Sequence, residues 1–194
     1  MPAPSSQPFC ASSIIGTGSY IPEYEKPDPA TGQTSKATPF WGVGATGAEV
    51  EVDTETGHVK ITRLVSVLDI GTPINPRIVE TQISGASLMQ LGFSMFEKMH
   101  QDGGQVTNAS LADYKIPGFH DVPAVMENLT VDTFQSNGPF GGKGVGEVAT
   151  FCVSPAIANA IHDAAGIRLT SLPMNPESVY RALRAKAGKP LEDE

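Results

Sequence analysis

Ala48-Glu49-Val50-Glu51-Val52-Asp53, then Thr54-Glu55-Thr56-Gly57, then Val59-Lys60-Ile61-Thr62-Arg63-Leu64-Val65-Ser66-Val67-Leu68-Asp69, decide the fold class of this chain. The first run alternates apolar with acidic residues, the period-two pattern of a strand with one buried face. Asp53 to Gly57 is a turn, and the second run is a longer returning strand, so the two form a β-hairpin. Gly71-Thr72-Pro73-Ile74-Asn75-Pro76 follows as a loop that ends in a helix start, with Asn75 as N-cap and Pro76 at the first helical position. From Pro76 to about Met99 apolar residues recur three or four apart, at Ile78, Val79, Ile83, Ala86, Met89, Phe93 and Phe96, which predicts a helix. Its middle, Ser84-Gly85-Ala86-Ser87, is small. That patch admits either tight helix packing or the close approach of a backbone or ligand.

Outward from this hairpin and helix, residues 100–124 carry turn signals, and Val125 to Phe134 reads as another strand. Gln135 to Gly146 is a glycine-rich loop, Ser154-Pro155 opens a helix that stops at Gly166, and Arg168 to Leu172 is expected to be a short strand. Asn175-Pro176 opens a last amphipathic helix ending near Gly188. Strands and helices mix without strict alternation, so the fold class is α+β, a mixed β-sheet packed with helices. Residues 1–40 stand apart: they hold seven of the sixteen prolines and read as an extended arm that dangles or lies along a surface, with part of it docked through Ile14-Ile15. The domain proper is then 41–194.

The 194 residues are 40% hydrophobic and carry a net charge of −8. Such a chain has material for one core but is poorly suited to nucleic acid or anionic lipid. No apolar run approaches the roughly 20 residues that span a bilayer. The opening MPAPSSQPFC lacks the pattern of a secretion signal, and a cytoplasmic setting is expected. Two cysteines, Cys10 and Cys152, exclude an iron–sulfur cluster or a four-cysteine zinc site held by this chain alone. Cys152 is expected to be a buried structural thiol. The four histidines show no ligand spacing, so no metal ligand is assigned. Trp41, Met89, Met95 and Met99 are expected in the core.

The chemistry concentrates in Gly138-Pro139-Phe140-Gly141-Gly142-Lys143-Gly144-Val145-Gly146-Glu147, five glycines in nine residues and then an acid. A phosphate-binding G-x-x-x-x-G-K-[ST] loop would need glycine at Asn137 and a hydroxyl at Gly144, and a G-x-G-x-x-G dinucleotide fingerprint breaks at Glu147. What remains is a ribbon of backbone N–H and C=O groups able to wrap a polar ligand, with one carboxylate at its edge. An acid among glycines, followed by Val148-Ala149-Thr150-Phe151, is expected to be poorly solvated. Desolvation favours the protonated carboxyl and makes such a group a usable base. The plainer alternative is a glycine-rich surface turn with an exposed glutamate.

Gly142-Lys143-Gly144-Val145-Gly146-Glu147, with Ser154-Pro155-Ala156-Ile157-Ala158-Asn159-Ala160-Ile161, resembles the C-terminal end of the molybdenum-hydroxylase (xanthine dehydrogenase/aldehyde oxidase) large subunit. Ala48 to Asp53, Val67-Leu68-Asp69-Ile70-Gly71 to Asn75-Pro76, Gln82-Ile83-Ser84-Gly85-Ala86 and Tyr114-Lys115-Ile116-Pro117 resemble further motifs of that family in the same order. The resemblance spans about residues 16–188 and implies the molybdenum cofactor-binding domain type. It places Glu147 at the family's active-site glutamate, a base toward a hydroxyl ligand of the metal. It places Gly141, Gly142, Lys143, Gly144, Val145 and Gly146 in the loop whose main chain lines the molybdopterin, and Gln82 at a glutamine that hydrogen-bonds the pterin. It departs from the family at Thr81 and at Gln90-Leu91, where a glycine and a Gln-Gly pair are usual.

The implied activity inserts water-derived oxygen at an aldehyde or N-heterocycle carbon. The implied cofactor is molybdopterin, or its cytosine dinucleotide form, with molybdenum. The chain lacks the amino-terminal half of a large subunit, so it is expected to be a separately encoded piece of a split subunit or a truncated one. Its implied partners are the rest of the molybdopterin-binding subunit, a [2Fe–2S] subunit, an FAD subunit and a small-molecule substrate. A non-catalytic assembly or scaffold module of the same fold is the alternative, and the intact Gly142–Glu147 motif argues against it.

Overall fold

The computed structural model describes the backbone of residues 9–13 and residues 28–31, 41–136 and 138–189. A four-stranded sheet has the order β1 (Phe9–Ser13), β2 (Val43–Val52), β3 (Val59–Asp69), β6 (Val125–Val131). The first three pair antiparallel and β6 runs parallel to β3. Between β3 and β6 lie α1 (Pro76–Met95), a small hairpin of β4 (Gln101–Asp102) and β5 (Gln105–Val106), and the single turn α2 (Leu111–Tyr114). The chain ends in α3 (Val153–Ala165) and α4 (Pro176–Lys186). This is the α+β class with a mixed sheet that the sequence predicts. Apart from β1 and residues 28–31, the proline-rich arm, including Ile14-Ile15, lies outside the described residues.

The hairpin forms as its alternation requires. Thr46, Ala48 and Val50 on β2 and Leu64, Ser66 and Leu68 on β3 are buried on one face. On the other, Arg63 reaches across to Glu49 (3.3 Å) and Glu127 (2.6 Å), tying three strands together. Asp53 closes the turn by accepting from the N–H of Glu55 and the hydroxyl of Thr56. β2 begins five residues before the alternating run because Gly44 breaks the pattern. A Cβ there would collide with Leu68 Cδ2 and lie 2.9 Å from the Val67 carbonyl, so only glycine lets the strands close.

α3 lies across β1 and the buried face of β2, beside α1. Ile157 and Ile161 of α3 join Val50, Leu64, Met174 and Val179 in the larger core cluster. A second cluster joins Leu68 and Ile70 to Val79, Ile83 and Ala86 of α1 and Ala149. Ser66 of β3 and Ser87 of α1 are buried and share a 3.0 Å hydrogen bond across the helix–sheet contact. Cys152 is buried, its Sγ facing the Gly44 carbonyl at 3.5 Å, as expected of a structural thiol.

Four local expectations need correction. α1 stops at Met95 with Phe96 as its C-cap, one turn before the predicted end, since Asn108 now takes the Lys98 carbonyl and the His100 N–H. β6 stops at Val131, because beyond it Thr133 turns to bond Asp69. Arg168 to Leu172 is irregular: no strand lies beside it among the described residues, and Arg168 folds back onto Asn159 of α3 (2.6 Å). Trp41, Met89 and Met99 are exposed, and of the residues expected in the core only Met95 is buried there.

Ile157 is fully enclosed between α3 and the sheet. Ile157→Ala is expected to destabilise the chain by about 2–5 kcal/mol. Urea titration should show this as a lowered midpoint with an unchanged slope.

Candidate functional site

The glycine-rich loop is fastened to the end of β3. Gly71 and Gly142 face each other as an antiparallel bridge, with Thr72 N–H donating to the Gly141 carbonyl (2.8 Å) and Lys143 N–H to the Ile70 carbonyl (2.9 Å). The bridge needs glycine at 71: its φ is +64°, and a Cβ would collide with the Gly141 carbonyl and lie 3.0 Å from the Lys143 nitrogen. Gly141 also receives the Gln135 N–H (3.0 Å) and donates to the Gly138 carbonyl (3.1 Å), and Gly142 donates to the Pro139 carbonyl (3.0 Å). The first half of the loop therefore binds its own chain, and Gly141 and Gly142 are buried. Beyond Lys143 the pattern changes. The N–H groups of Gly144, Val145 and Gly146 form no hydrogen bond among the described residues.

Lys143 turns its side chain inward. Its Nζ lies 2.7 Å from Asp69 Oδ2, and the two side chains are only 9% and 16% exposed. The other Asp69 oxygen accepts from Thr133 Oγ1 (2.6 Å) and the Gly71 N–H (3.1 Å). Burial alone would raise the Asp69 carboxyl, but these donors, led by the Lys143 ammonium, outweigh it and hold the group below its ordinary value.

The open half of the loop borders a cavity of about 290 Å³ between the end of β3, the start of α1 and the loop itself. Gln82 of α1 lines it together with Lys143, Val145 and Gly146, and Ile74 and Ile78 form an apolar wall. Of the predicted site residues, four thus meet at one place. Gly144 is exposed beside them, whereas Gly141 and Gly142 lie behind, as the loop's attachment. The small patch on α1 divides: Ala86 and Ser87 pack on the sheet, Ser84 accepts from Asn128 (2.6 Å), and Gly85 faces open space. Gln90, at a position where the sequence departs from the family pattern, ties α1 to the start of α3 through Ser154 (2.5 Å).

Glu147 follows directly, at the start of the 3-10 turn Val148–Thr150, and is exposed. The expectation of a poorly solvated carboxylate does not hold for this chain by itself. Val148 and Ala149, which were expected to shield it, pack inward against Val79, Ile83 and Leu68, and the turn leaves Glu147 on the outside. Sequence reasoning missed Asp69 and Thr133. Asp69 reads as the last residue of a strand, and no local pattern shows that donors from two later segments converge on it.

The shape of this site is that of a cofactor-binding α+β domain: a backbone ribbon and one amide side chain around an open cavity, with one acid next along the ribbon. Residues 9–123 match the model of the molybdopterin cofactor-binding domain, more than half of the chain, and the protein belongs to that family. A probable hypoxanthine oxidase of Escherichia coli (strain K12) is 38% identical over 173 residues, 88% of this chain and 16% of that protein. A probable xanthine dehydrogenase subunit of Bacillus subtilis (strain 168) is 33% identical over 163 residues, 84% of this chain and 21% of that one. Among solved structures, the aldehyde oxidoreductase of Desulfovibrio gigas superposes with a TM-score of 0.68 and 31% identity, over 74% of this chain and 15% of that chain. The chain therefore spans only about a sixth to a fifth of the length of these relatives.

Asp69 gives the site a pH signature. Its folded-state value lies below the ordinary 3.8, so its contribution to stability is complete above pH 3.8 and is lost as pH falls through the lower folded value. The melting temperature of the wild-type chain should accordingly drop more steeply below pH 3.8 than that of Asp69→Asn, measured by circular dichroism at a series of pH values.

Proposed function

We propose that this chain supplies Glu147 as the base, and one wall of the molybdopterin site, to a molybdenum hydroxylase. That enzyme inserts water-derived oxygen at an aldehyde or N-heterocycle carbon. The observation that carries this proposal is the meeting of Gln82 from α1 with Lys143, Val145 and Gly146 around one cavity, beside backbone donors that the described fold leaves unpaired. The donor set suits a flat heterocycle with polar edges: N–H groups from Gly144 to Gly146, the Gln82 amide, and an apolar wall from Ile74, Ile78 and Val145. At Gly146 a Cβ would meet nothing within 4 Å, so the backbone is open to a ligand there. When bound, the molybdenum–pterin group supplies the two-electron redox centre at which oxygen is inserted.

The chain's own residues do the rest. Gln82 and the Gly144–Gly146 amides orient the pterin edge. Gly141 and Gly142, buried behind them, hold the ribbon in place. Glu147, next in sequence, takes the proton released as the oxygen becomes a nucleophile. In this chain Glu147 is exposed, so the water exclusion that a base needs comes from another polypeptide segment. The surroundings of the site favour such a cover. Ile74 just before α1, Ile78, Met89 and Phe93 along its outer side, and Phe134 and Phe140 before and within the loop, are exposed apolar side chains. The covering segment belongs to the rest of the molybdopterin-binding subunit, which the relatives carry within one longer chain. Electrons leave through [2Fe–2S] and FAD groups on partner subunits. In this assembly 41–194 form the cofactor-binding domain, and β1 from the proline-rich segment is added to the edge of its sheet. Among the described residues no helix is long and apolar enough to cross a membrane, and a cytoplasmic enzyme is the setting proposed.

In the enzyme purified with its partner subunits, Glu147→Gln should lower turnover by at least about a hundredfold. Molybdenum content, measured by plasma mass spectrometry, should stay at the wild-type level. Near-normal turnover would remove Glu147 from the mechanism, and a wild-type complex devoid of molybdenum would favour a scaffold module instead.

A further inference from the structure

Glu147 hangs from a short span whose two ends are fastened very differently. Downstream, Ala149 is buried in the core cluster under α1, and the N–H and hydroxyl of Thr150 both donate to the Glu147 carbonyl (3.1 and 2.8 Å). Upstream, the last backbone hydrogen bond before the unpaired amides is Lys143 N–H to the Ile70 carbonyl. Between Lys143 and Glu147 only Val145 packs against the core cluster, and Gly144 and Gly146 supply no side-chain packing. A glycine-rich span with no internal hydrogen bonds holds its shape only as well as its attachments do.

The upstream attachment converges on one carboxylate. Asp69 receives the Lys143 ammonium from the loop, the Thr133 hydroxyl from the segment after β6, and the Gly71 N–H from the segment after β3. Three parts of the chain that meet at the site are thereby referred to a single group. The ammonium of Lys143, although its residue lines the cavity, is held by Asp69 and not offered to a ligand. A buried pair of this kind is costly to break on one side, since the remaining charge is left without a partner.

We infer that Asp69 is a positioning residue of the site, which acts through Lys143 and Thr133 to set where the Gly144–Glu147 span leaves the sheet. This rests on the proposed function only in assigning Glu147 its chemistry. The fastening of the span can be read without it.

The test is hydrogen–deuterium exchange on the purified complex, with steady-state kinetics on the same samples. In Asp69→Asn, peptides reporting the hydrogen-bonded amides at 71–72 and 141–143 should exchange about tenfold faster or more, while those of α3 keep wild-type rates. Turnover should fall roughly tenfold to a hundredfold, with KM within about twofold, as expected when a base is misplaced but the substrate still binds. Thr133→Val should shift both readouts in the same direction by less, and Lys143→Arg, which keeps the charge, should exchange closer to wild type than Lys143→Met. Unchanged exchange at 71–72 and 141–143 would overturn the inference. So would an equal rise in α3, which would make Asp69 a general stabiliser. If Asp69→Asn fails to assemble, Thr133→Val and the two Lys143 variants decide by the same criteria. Failure of the proposed function would show separately, as an active Glu147→Gln enzyme or a molybdenum-free wild type, and would leave the exchange result standing.

Discussion

At the end of β3 the chain must place a strand terminus, a helix start and a glycine-rich loop within a few ångströms of one another. Backbone groups there cannot all reach water. The solution is local and dense: an antiparallel bridge between Gly71 and Gly142, and beneath it the Asp69 carboxylate receiving Lys143, Thr133 and the Gly71 N–H. Each partner comes from a different stretch of sequence, so the arrangement exists only when β3, β6 and the loop are all in place. A charge pair with so little exposure is tolerable because further donors complete the carboxylate.

Around this junction the two hydrophobic clusters divide the labour. The larger one holds the hairpin under α3 and α4 and includes no residue of the cavity wall. The smaller one runs from Leu68 and Ile70 through Val79 and Ile83 to Ala149, with Val145 packed against it. Ile70, Val79 and Val145 also line the cavity. The wall of the site is thus the outer surface of a packed core, which fixes its shape, while the ribbon that closes it is held by hydrogen bonds and one ion pair. The outer side of α1 is different again. Ile78, Met89 and Phe93 recur at helical spacing yet remain exposed, so the periodicity that predicts the helix marks both a face packed on this sheet and a face that is not.

Much of this was legible in the residues. The alternation of Ala48 to Asp53 and the caps Asn75-Pro76 and Asn175-Pro176 are local signals, and they place β2, β3, α1 and α4 nearly where they lie. The strand through Gly44 was hidden, since its glycine answers to Leu68 on the neighbouring strand and to Phe151 just before α3, and not to its neighbours in sequence. Gln82 and the loop were picked out by resemblance to a family, and their convergence on one cavity is a matter of tertiary placement.

Composition, period and turn chemistry therefore determined the element types, the α+β class and the ribbon that bears Glu147, because each depends on contacts only a few residues long. Tertiary structure alone decided which half of that ribbon is bound into the fold and which half is open, that Lys143 faces Asp69, and that Glu147 stands at the surface. Those outcomes depend on which distant donors and apolar side chains arrive at the same point, and no stretch of sequence carries that information by itself.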